Sequence, residues 1–451
     1  MSYETLAASL RSAMERQDHD AIRLLLSELP TADIAEFVRT EQPATSLQLL
    51  NYLPIDARAD VFGYLEPSEQ LEIAKDLDDL RLGQLLARMN ADEGADLFNL
   101  LHPARQDAIL RGMAKEEREE LRRLASYAEG TAGAIMTSDY VVVPADLTAR
   151  EALDQIRLTA PDAETIYQIY VLDEQQRIAG TLSLRELILA PPHSRIEALM
   201  THEVVSASVD TPQEEVAKLI ARYDILALPI TNGGDRLVGI VTYDDAMDVA
   251  EAEATEDMHK GATIGKLEGG LRSASLLTLY RKRVGWLVLL AFANIFSGAG
   301  IAYFEDTISA YIVLVFFFPL LMGSGGNAGA QAATLMVRGL AVGDVRFRDW
   351  GWLLGKELLV AGALGLTMGL AIASLGWLRG GPDIALVVAL SMLVIVMIGS
   401  LIGMSLPFLL NRLNLDPATA SAPLVTTIAD ASGVLVYFGI ATAILGLPSP
   451  S

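Results

Sequence analysis

The chain has 451 residues, 51% of them hydrophobic, yet 57 Asp and Glu against 34 Lys and Arg leave a formal charge of −23. A surface that acidic repels phosphates and favours cations or basic partners, which argues against nucleic-acid binding. The absence of cysteine excludes disulfides, thiolate metal sites and thiol nucleophiles, and leaves oxygen ligands suited to hard cations.

Met1 to Leu10 lacks a basic stretch followed by an apolar run, so no cleavable signal is expected and the soluble part is expected in the cytoplasm. From Met1 to about Ala128 the pattern is helical, with breaks at Pro43, Pro54, Pro67 and Pro103. Within it, Ala59-Asp60-Val61-Phe62 and Pro67 recur 36 residues later as Ala95-Asp96-Leu97-Phe98 and Pro103, with Ile73 matched by Ile109. Such a repeat implies stacked helical hairpins forming a superhelix.

A second repeat follows. Ile135-Met136-Thr137 aligns with Leu199-Met200-Thr201 at an offset of 64, and Tyr170-Val171-Leu172-Asp173 with Pro229-Ile230-Thr231-Asn232 at an offset of 59. Five residues are therefore inserted in the first copy, between Thr159 and Gln168. Each copy reads as strand, helix, strand, a further strand after the glycine (Gly180 or Gly239) and a closing helix, a tandem α/β pair. The second closing helix runs on towards about Leu271 through Asp244, Asp245, Asp248, Glu251, Glu253, Glu256 and Asp257.

Five apolar stretches then reach the roughly 20 residues needed to cross a bilayer: Val284–Tyr303, Ile308 to about Val337, Trp352–Leu378, Ile384–Leu410 and Leu424–Leu447. Eight acids and six bases from Val284 onwards leave about −21 on the residues before it, so the charge and the hydropathy belong to different segments. Arg281, Lys282, Arg283, Arg338, Arg346, Arg348 and Arg412 flank one side of the spans against Arg379 on the other. Positive residues stay inside, which places the N-terminal region in the cytoplasm and the C-terminus outside. The Gly323–Gly329 run is expected to interrupt the second span, with irregular backbone that lines a cavity.

Asp430 is the first candidate for chemistry. A carboxylate inside a span is costly unless it faces protein, water or an ion; hydroxyls of Thr426 or Ser432 are the structural partners, and a transported cation is the functional one. In a homodimer two copies would face each other across the axis. Mg2+ suits one or two carboxylates with its waters retained, and Na+ or Ca2+ meets the same description. Asp245 and Asp248, Glu253 and Glu256, and Asp92 and Asp96 form like-charged pairs three or four apart. Such pairs weaken a helix unless cations bridge them, which makes them candidate cation sensors. The tandem repeat has no Gly-rich phosphate loop, which leaves an adenine nucleotide between the copies open. His19, His102, His193, His202 and His259 have no metal spacing and there is no nucleophile elbow, so no enzyme is expected.

These motifs resemble the MgtE family of Mg2+ transporters over nearly the whole chain. The resemblance rests on Tyr127-Ala128-Glu129-Gly130-Thr131-Ala132-Gly133 leading to Met136-Thr137, on a repeat similar to a pair of CBS domains, and on Glu251 to Asp257. It rests further on Gly325-Gly326-Asn327-Ala328-Gly329, Leu413 to Ala418 and the Asp430 segment. It implies a multi-domain chain with an all-α superhelical N domain (1–130), an α/β tandem CBS pair (131–197 and 198–249), a connecting plug helix (250–273) and an all-α transmembrane domain of five helices (274–451). By resemblance Asp430 is the pore's Mg2+ site. Asp60, Asp92 and Asp96, then Glu214 and Asp224, then Asp245, Asp248, Glu253, Glu256 and Asp257 are cytoplasmic Mg2+ ligands. Ala330 and Ala422 stand where some members carry Asn.

The expected function is therefore a homodimeric, channel-like Mg2+ transporter of the cell membrane, closed by high cytoplasmic Mg2+. The alternatives are a secondary-active carrier for Mg2+ or another divalent cation such as Co2+ or Mn2+, and a non-transporting, membrane-anchored CBS sensor.

Overall fold

The computed structural model describes residues 3–160, 163–265 and 274–446. The chain divides into two compact units, Met1–Glu253 and Ala254–Ser451.

The first unit begins with ten helices between Tyr3 and Leu124, α1 to α10, none longer than the 13 residues of α1 (Tyr3–Glu15). Helices this short are marginal alone, so packing must hold them. Their apolar faces meet in one core that contains the fully buried Leu10, Phe37, Leu49, Phe62 and Leu82. The prolines begin helices rather than interrupt them. Pro43, Pro67 and Pro103 occupy first-turn positions of α4 (Pro43–Leu50), α6 (Pro67–Ala74) and α9 (Pro103–Gly112), where a missing N–H costs nothing.

The 36-residue repeat is a structural one. Gln70 of α6 donates to the Phe62 carbonyl of α5 (Ile55–Gly63) at 2.8 Å, and Gln106 of α9 donates to the Phe98 carbonyl of α8 (Ala91–Leu100) at the same distance.

Two three-stranded sheets follow, β1-β2-β3 and β4-β5-β6. In each, the first two strands are parallel and the last two antiparallel. The first sheet comprises β1 (Tyr140–Val143), β2 (Thr165–Leu172) and β3 (Ile178–Ser183), with α11 (Ala149–Thr159) as crossover and α12 (Leu184–Leu189) closing. After the short α13 (Ile196–Leu199), the second comprises β4 (Ala207–Ser208), β5 (Ala227–Thr231) and β6 (Leu237–Thr242), with α14 (Gln213–Tyr223) as crossover. Its closing helix is α15 (Tyr243–Gly261). The repeated glycines lie inside β3 and β6 rather than before them, and they explain the repeated Met-Thr. A β-carbon on Gly239 would fall 2.6 Å from the Met136 sulfur, and one on Gly180 would fall 2.6 Å from the Met200 sulfur. Each copy's leading segment thus lies on the other copy's sheet: Thr137 is bridged to Ile240 of β6, and Thr201 to Thr181 of β3.

The connecting helix expected from residue 250 is the second half of α15, which ends at Gly261. Its last expected residues, 266–273, and the end of the fifth expected span at Leu447 lie outside the described residues.

In the second unit, four helical segments among the described residues are long and apolar enough to cross a membrane: Leu276–Tyr303, Val313–Ala341, Phe347–Arg412 and Ala422–Leu445. The first is α16 (Leu276–Ala293) continued by α17 (Ile295–Tyr303); the short α18 (Glu305–Ala310) precedes α19 (Val313–Ala341). The third holds α20 (Trp350–Arg412), which is 63 residues long. At 1.5 Å per residue it would span about 95 Å if straight, about three bilayer cores. Gly381 turns it back with φ 81° and ψ −173°, a conformation open only to glycine. The two legs pack antiparallel. β-Carbons on Gly365, Gly369 and Gly376 would meet the backbone of Leu393, Ala389 and Ala385 within 2.8 Å. With α21 (Ala422–Leu445), the unit has five apolar legs.

The expected interruption at Gly323–Gly329 does not occur, because α19 is continuous from Val313 to Ala341. Gly325 packs against Ile395, Gly326 against Thr426, and Gly329 against Gly399 and Val425. The glycines serve close helix packing, which in an apolar medium replaces the hydrophobic drive to associate. Asn327 is exposed on this uninterrupted helix.

Candidate functional site

Asp430 lies on α21, whose start is set by Ser421 at the N-cap and Pro423 in the first turn. Of the two hydroxyls expected to satisfy it, that of Ser432 is engaged elsewhere. Ser432 donates to the Ile428 carbonyl at 2.9 Å, and the Thr426 methyl packs on Gly326. Neither Pro423 nor Gly433 opens the helix. The Pro423 carbonyl accepts from the Thr427 hydroxyl at 2.9 Å, and Gly433 packs on Met322. Asp430 Oδ1 is buried without a hydrogen-bond partner, a state it shares among the described residues with the hydroxyls of Ser297 and Ser391. A buried carboxylate oxygen left this way calls for a cation, a proton or water.

A second group of acids gathers in the first unit. Asp92, Glu93 and Asp96 come from α8, Asp60 from α5, Glu164 from the residue before β2, and Asp244 and Asp245 from the start of α15. Burial, then the charges of Asp92, Asp245, Glu164 and Asp60, push the Glu93 carboxyl up to about 8. Burial with Asp92, Asp245, Asp244 and Asp139 raises Glu164 to about 7, and burial with Glu129 raises Asp96 to about 6. Asp92 and Asp245 are both raised by burial and by negative neighbours, with Asp92 among those of Asp245. Asp60 is raised by burial and Asp56, and Asp248 by burial, Glu251 and Asp244. Every charge that shifts these groups is negative.

Local contacts fix the cluster's geometry. Asn90 donates to Glu164 at 3.2 Å, and the Thr242 hydroxyl donates to Asp245. The Glu93 carboxylate lies on the backbone of Gly63, where a β-carbon would collide with it. Among the described residues no three acidic or histidine side chains converge into a ready-made metal cage. Mg2+ suits such an arrangement, because it keeps several waters and uses one or two carboxylates.

The remaining sequence candidates have other partners or roles. Glu214 pairs with Lys218 at 2.6 Å, and Asp224 caps α14 in a left-handed conformation. Glu253 accepts from Gln213, the residue before Glu214, at 2.9 Å. Glu256 pairs with Lys260 at 2.6 Å in the second unit, with Asp257 next on the same helix. Sequence reasoning missed Glu93 and Glu164 and did not single out Asp244. The signals were present: Glu93 and Asp244 adjoin chosen acids, and Glu164 lies in the five-residue insertion of the first copy.

A superhelical acidic domain, a CBS-like pair and an apolar helical unit with an intramembrane carboxylate define the class of a membrane transporter for cations. Residues 318–440 match the MgtE divalent cation transporter family, residues 29–130 the MgtE intracellular N domain, and residues 132–193 and 196–252 the CBS domain. The chain is 40% identical to the magnesium transporter MgtE of Thermus thermophilus over 98% of its own length and 99% of that protein's. It is 34% identical to the magnesium transporter MgtE of Bacillus subtilis over 99% and 98%. It therefore belongs to the MgtE family. Its fold is similar to the crystal structure of the cytosolic domain of the Mg2+ channel MgtE in complex with ATP, at a TM-score of 0.52 and 40% identity. That match covers 54% of this chain and 99% of that one.

Proposed function

We propose that this protein is a homodimeric, channel-like Mg2+ transporter of the cell membrane, gated by Mg2+ on its cytoplasmic side. The observation that carries the reading is the unpartnered, buried Oδ1 of Asp430 on an apolar helix of a family whose relatives are magnesium transporters. The carboxylate would accept the waters or the charge of the transported ion, at a point where two copies meet on the symmetry axis.

The cytoplasmic acids read the same ion. Without divalent cations, the repulsion among Asp92, Glu93, Glu164, Asp244 and Asp245 disfavours the packing that brings α8 against the start of α15. Bound Mg2+ offsets that repulsion and holds the closed arrangement, with Asp60, Asp96, Asp248, Glu214, Asp224, Glu253, Glu256 and Asp257 as further ligands. High internal Mg2+ therefore closes the path, and low Mg2+ releases it. Positive flanks support an orientation with the N-terminal domains in the cytoplasm and the C-terminus outside. The CBS pair is a candidate for an adenine nucleotide, supported by the ATP complex of the similar cytosolic domain.

Patch-clamp recording of the purified protein in liposomes, with cytoplasmic Mg2+ varied, tests the reading. We expect single-channel currents that fall as Mg2+ rises, and a loss of about tenfold or more in Mg2+ flux for Asp430→Ala. Flux coupled to a second ion would replace the channel with a carrier, and preference for Co2+ or Mn2+ in competition would replace the ion. Flux unchanged in Asp430→Ala would leave a membrane-anchored sensor.

A further inference from the structure

The acids at the start of α15 need an added cation, but the helix carries its own cation at the other end. Lys260, in the last turn, reaches Glu256 one turn back at 2.6 Å and Asp416, 156 residues away, at 2.5 Å. Asp416 lies in the loop that follows the second leg of α20. Its other oxygen accepts the Ala418 amide at 2.9 Å and thereby sets the turn Pro417–Thr419. That turn runs into Ser421, the N-cap of α21, and α21 carries Asp430. One ammonium group thus joins the end of α15 to the loop that positions the start of the Asp430 helix.

The backbone beyond Lys260 supports the same anchorage. Thr263 takes a positive φ of 58°, the Ile264 amide turns back to the His259 carbonyl at 2.8 Å, and the Gly265 amide donates to the Lys282 carbonyl of α16 at 3.1 Å.

We propose that Lys260 is a positioning residue that couples cytoplasmic Mg2+ to the pore, by tying the C-terminal end of α15 to Asp416 through a direct ion pair. The proposal rests on the gating reading above and adds a division of labour. The acids at the N-terminal end of α15, Asp244, Asp245 and Asp248, read the cation, while Lys260 at its C-terminal end passes the helix's movement through Asp416 to α21.

The test uses the full chain in liposomes with Lys260→Ala and Lys260→Arg. For Lys260→Ala we expect unchanged conductance at zero Mg2+, and a half-closing Mg2+ concentration raised about fivefold or more, the scale of a coupling of about 1–3 kcal/mol. Lys260→Arg should restore the wild-type response. Hydrogen exchange of the amides of Ala262 and Ile264, which needs no flux, should be faster in Lys260→Ala by about tenfold. Wild-type exchange or a wild-type Mg2+ response in Lys260→Ala overturns the proposal while leaving the gating reading intact. A wild-type protein whose conductance ignores Mg2+ overturns both.

Discussion

A β-carbon placed on Gly403 would collide with the carbonyl oxygen of Gly329, so α19 and the second leg of α20 touch backbone to backbone. One turn earlier, Gly399 meets the Gly325 carbonyl in the same way. The four glycines form two matched stripes with a spacing of four, the arrangement that lets helices approach closely in an apolar medium.

Gly403→Leu forces these helices apart, because the obstructing atom is backbone and cannot rotate away. We expect a loss of about 1–3 kcal/mol, read as a lower midpoint for thermal aggregation in detergent. Gly439→Leu on α21 is the control, since no atom lies within 4 Å of its β-carbon position. An equal loss at both positions would remove the stripe from the account.

The raised carboxyls make the first unit's stability fall as pH rises. Glu93, at about 8, and Glu164, at about 7, hold protons in the folded state over a range where the unfolded chain has released them. Their protonated forms therefore contribute stability that is complete below the ordinary carboxylate range and is lost as pH climbs through about 7 to 8. Calorimetry of the detergent-solubilised chain in a chelator should show the cytoplasmic transition moving down between about pH 5.5 and pH 8. Mg2+ should flatten that slope, and Glu93→Gln should reduce it. A transition that rises over this interval contradicts the assignment.

Asp245→Asn with Asp248→Asn removes two charges from the start of α15. The double variant should lose most of the protease protection that Mg2+ confers on the soluble part. Protection at the wild-type Mg2+ concentration would show that these acids do not read the cation.

Gly239→Val tests the packing of Met136 and Thr137 on the second CBS sheet. Its β-carbon would meet both the Met136 sulfur, which can move, and the Thr137 carbonyl at 2.8 Å, which cannot without breaking its bridge to Ile240. We expect a cost of about 1–3 kcal/mol in the cytoplasmic transition, whereas Gly233→Ala, in open space at the β5–β6 turn, should be near neutral.

Periodicity and repeats were enough to read the helical N-terminal region, the tandem α/β pair and the apolar stretches, because each depends on local spacing of apolar residues. The two spans separated by the segment around Gly381 could be read as distinct, since no single apolar run can fill about 95 Å of helix. Asp430 was legible for a similar reason: an acid in an apolar run is conspicuous without any knowledge of its neighbours.

Relationships between distant segments were decided by the tertiary structure alone. Hydropathy cannot distinguish a glycine run that opens a helix from one that lets two helices touch, because the difference lies in the partner's backbone, here that of Gly399 and Gly403. Charge spacing marked Asp92 and Asp245 separately, but the acidic group exists because α8, α15 and the inserted Glu164 meet, and burial there raises Glu93 most of all. The link from Lys260 to Asp416 spans 156 residues and has no local signature. Sequence by itself determined which groups carry charge into apolar surroundings; the fold decided which of those charges face one another.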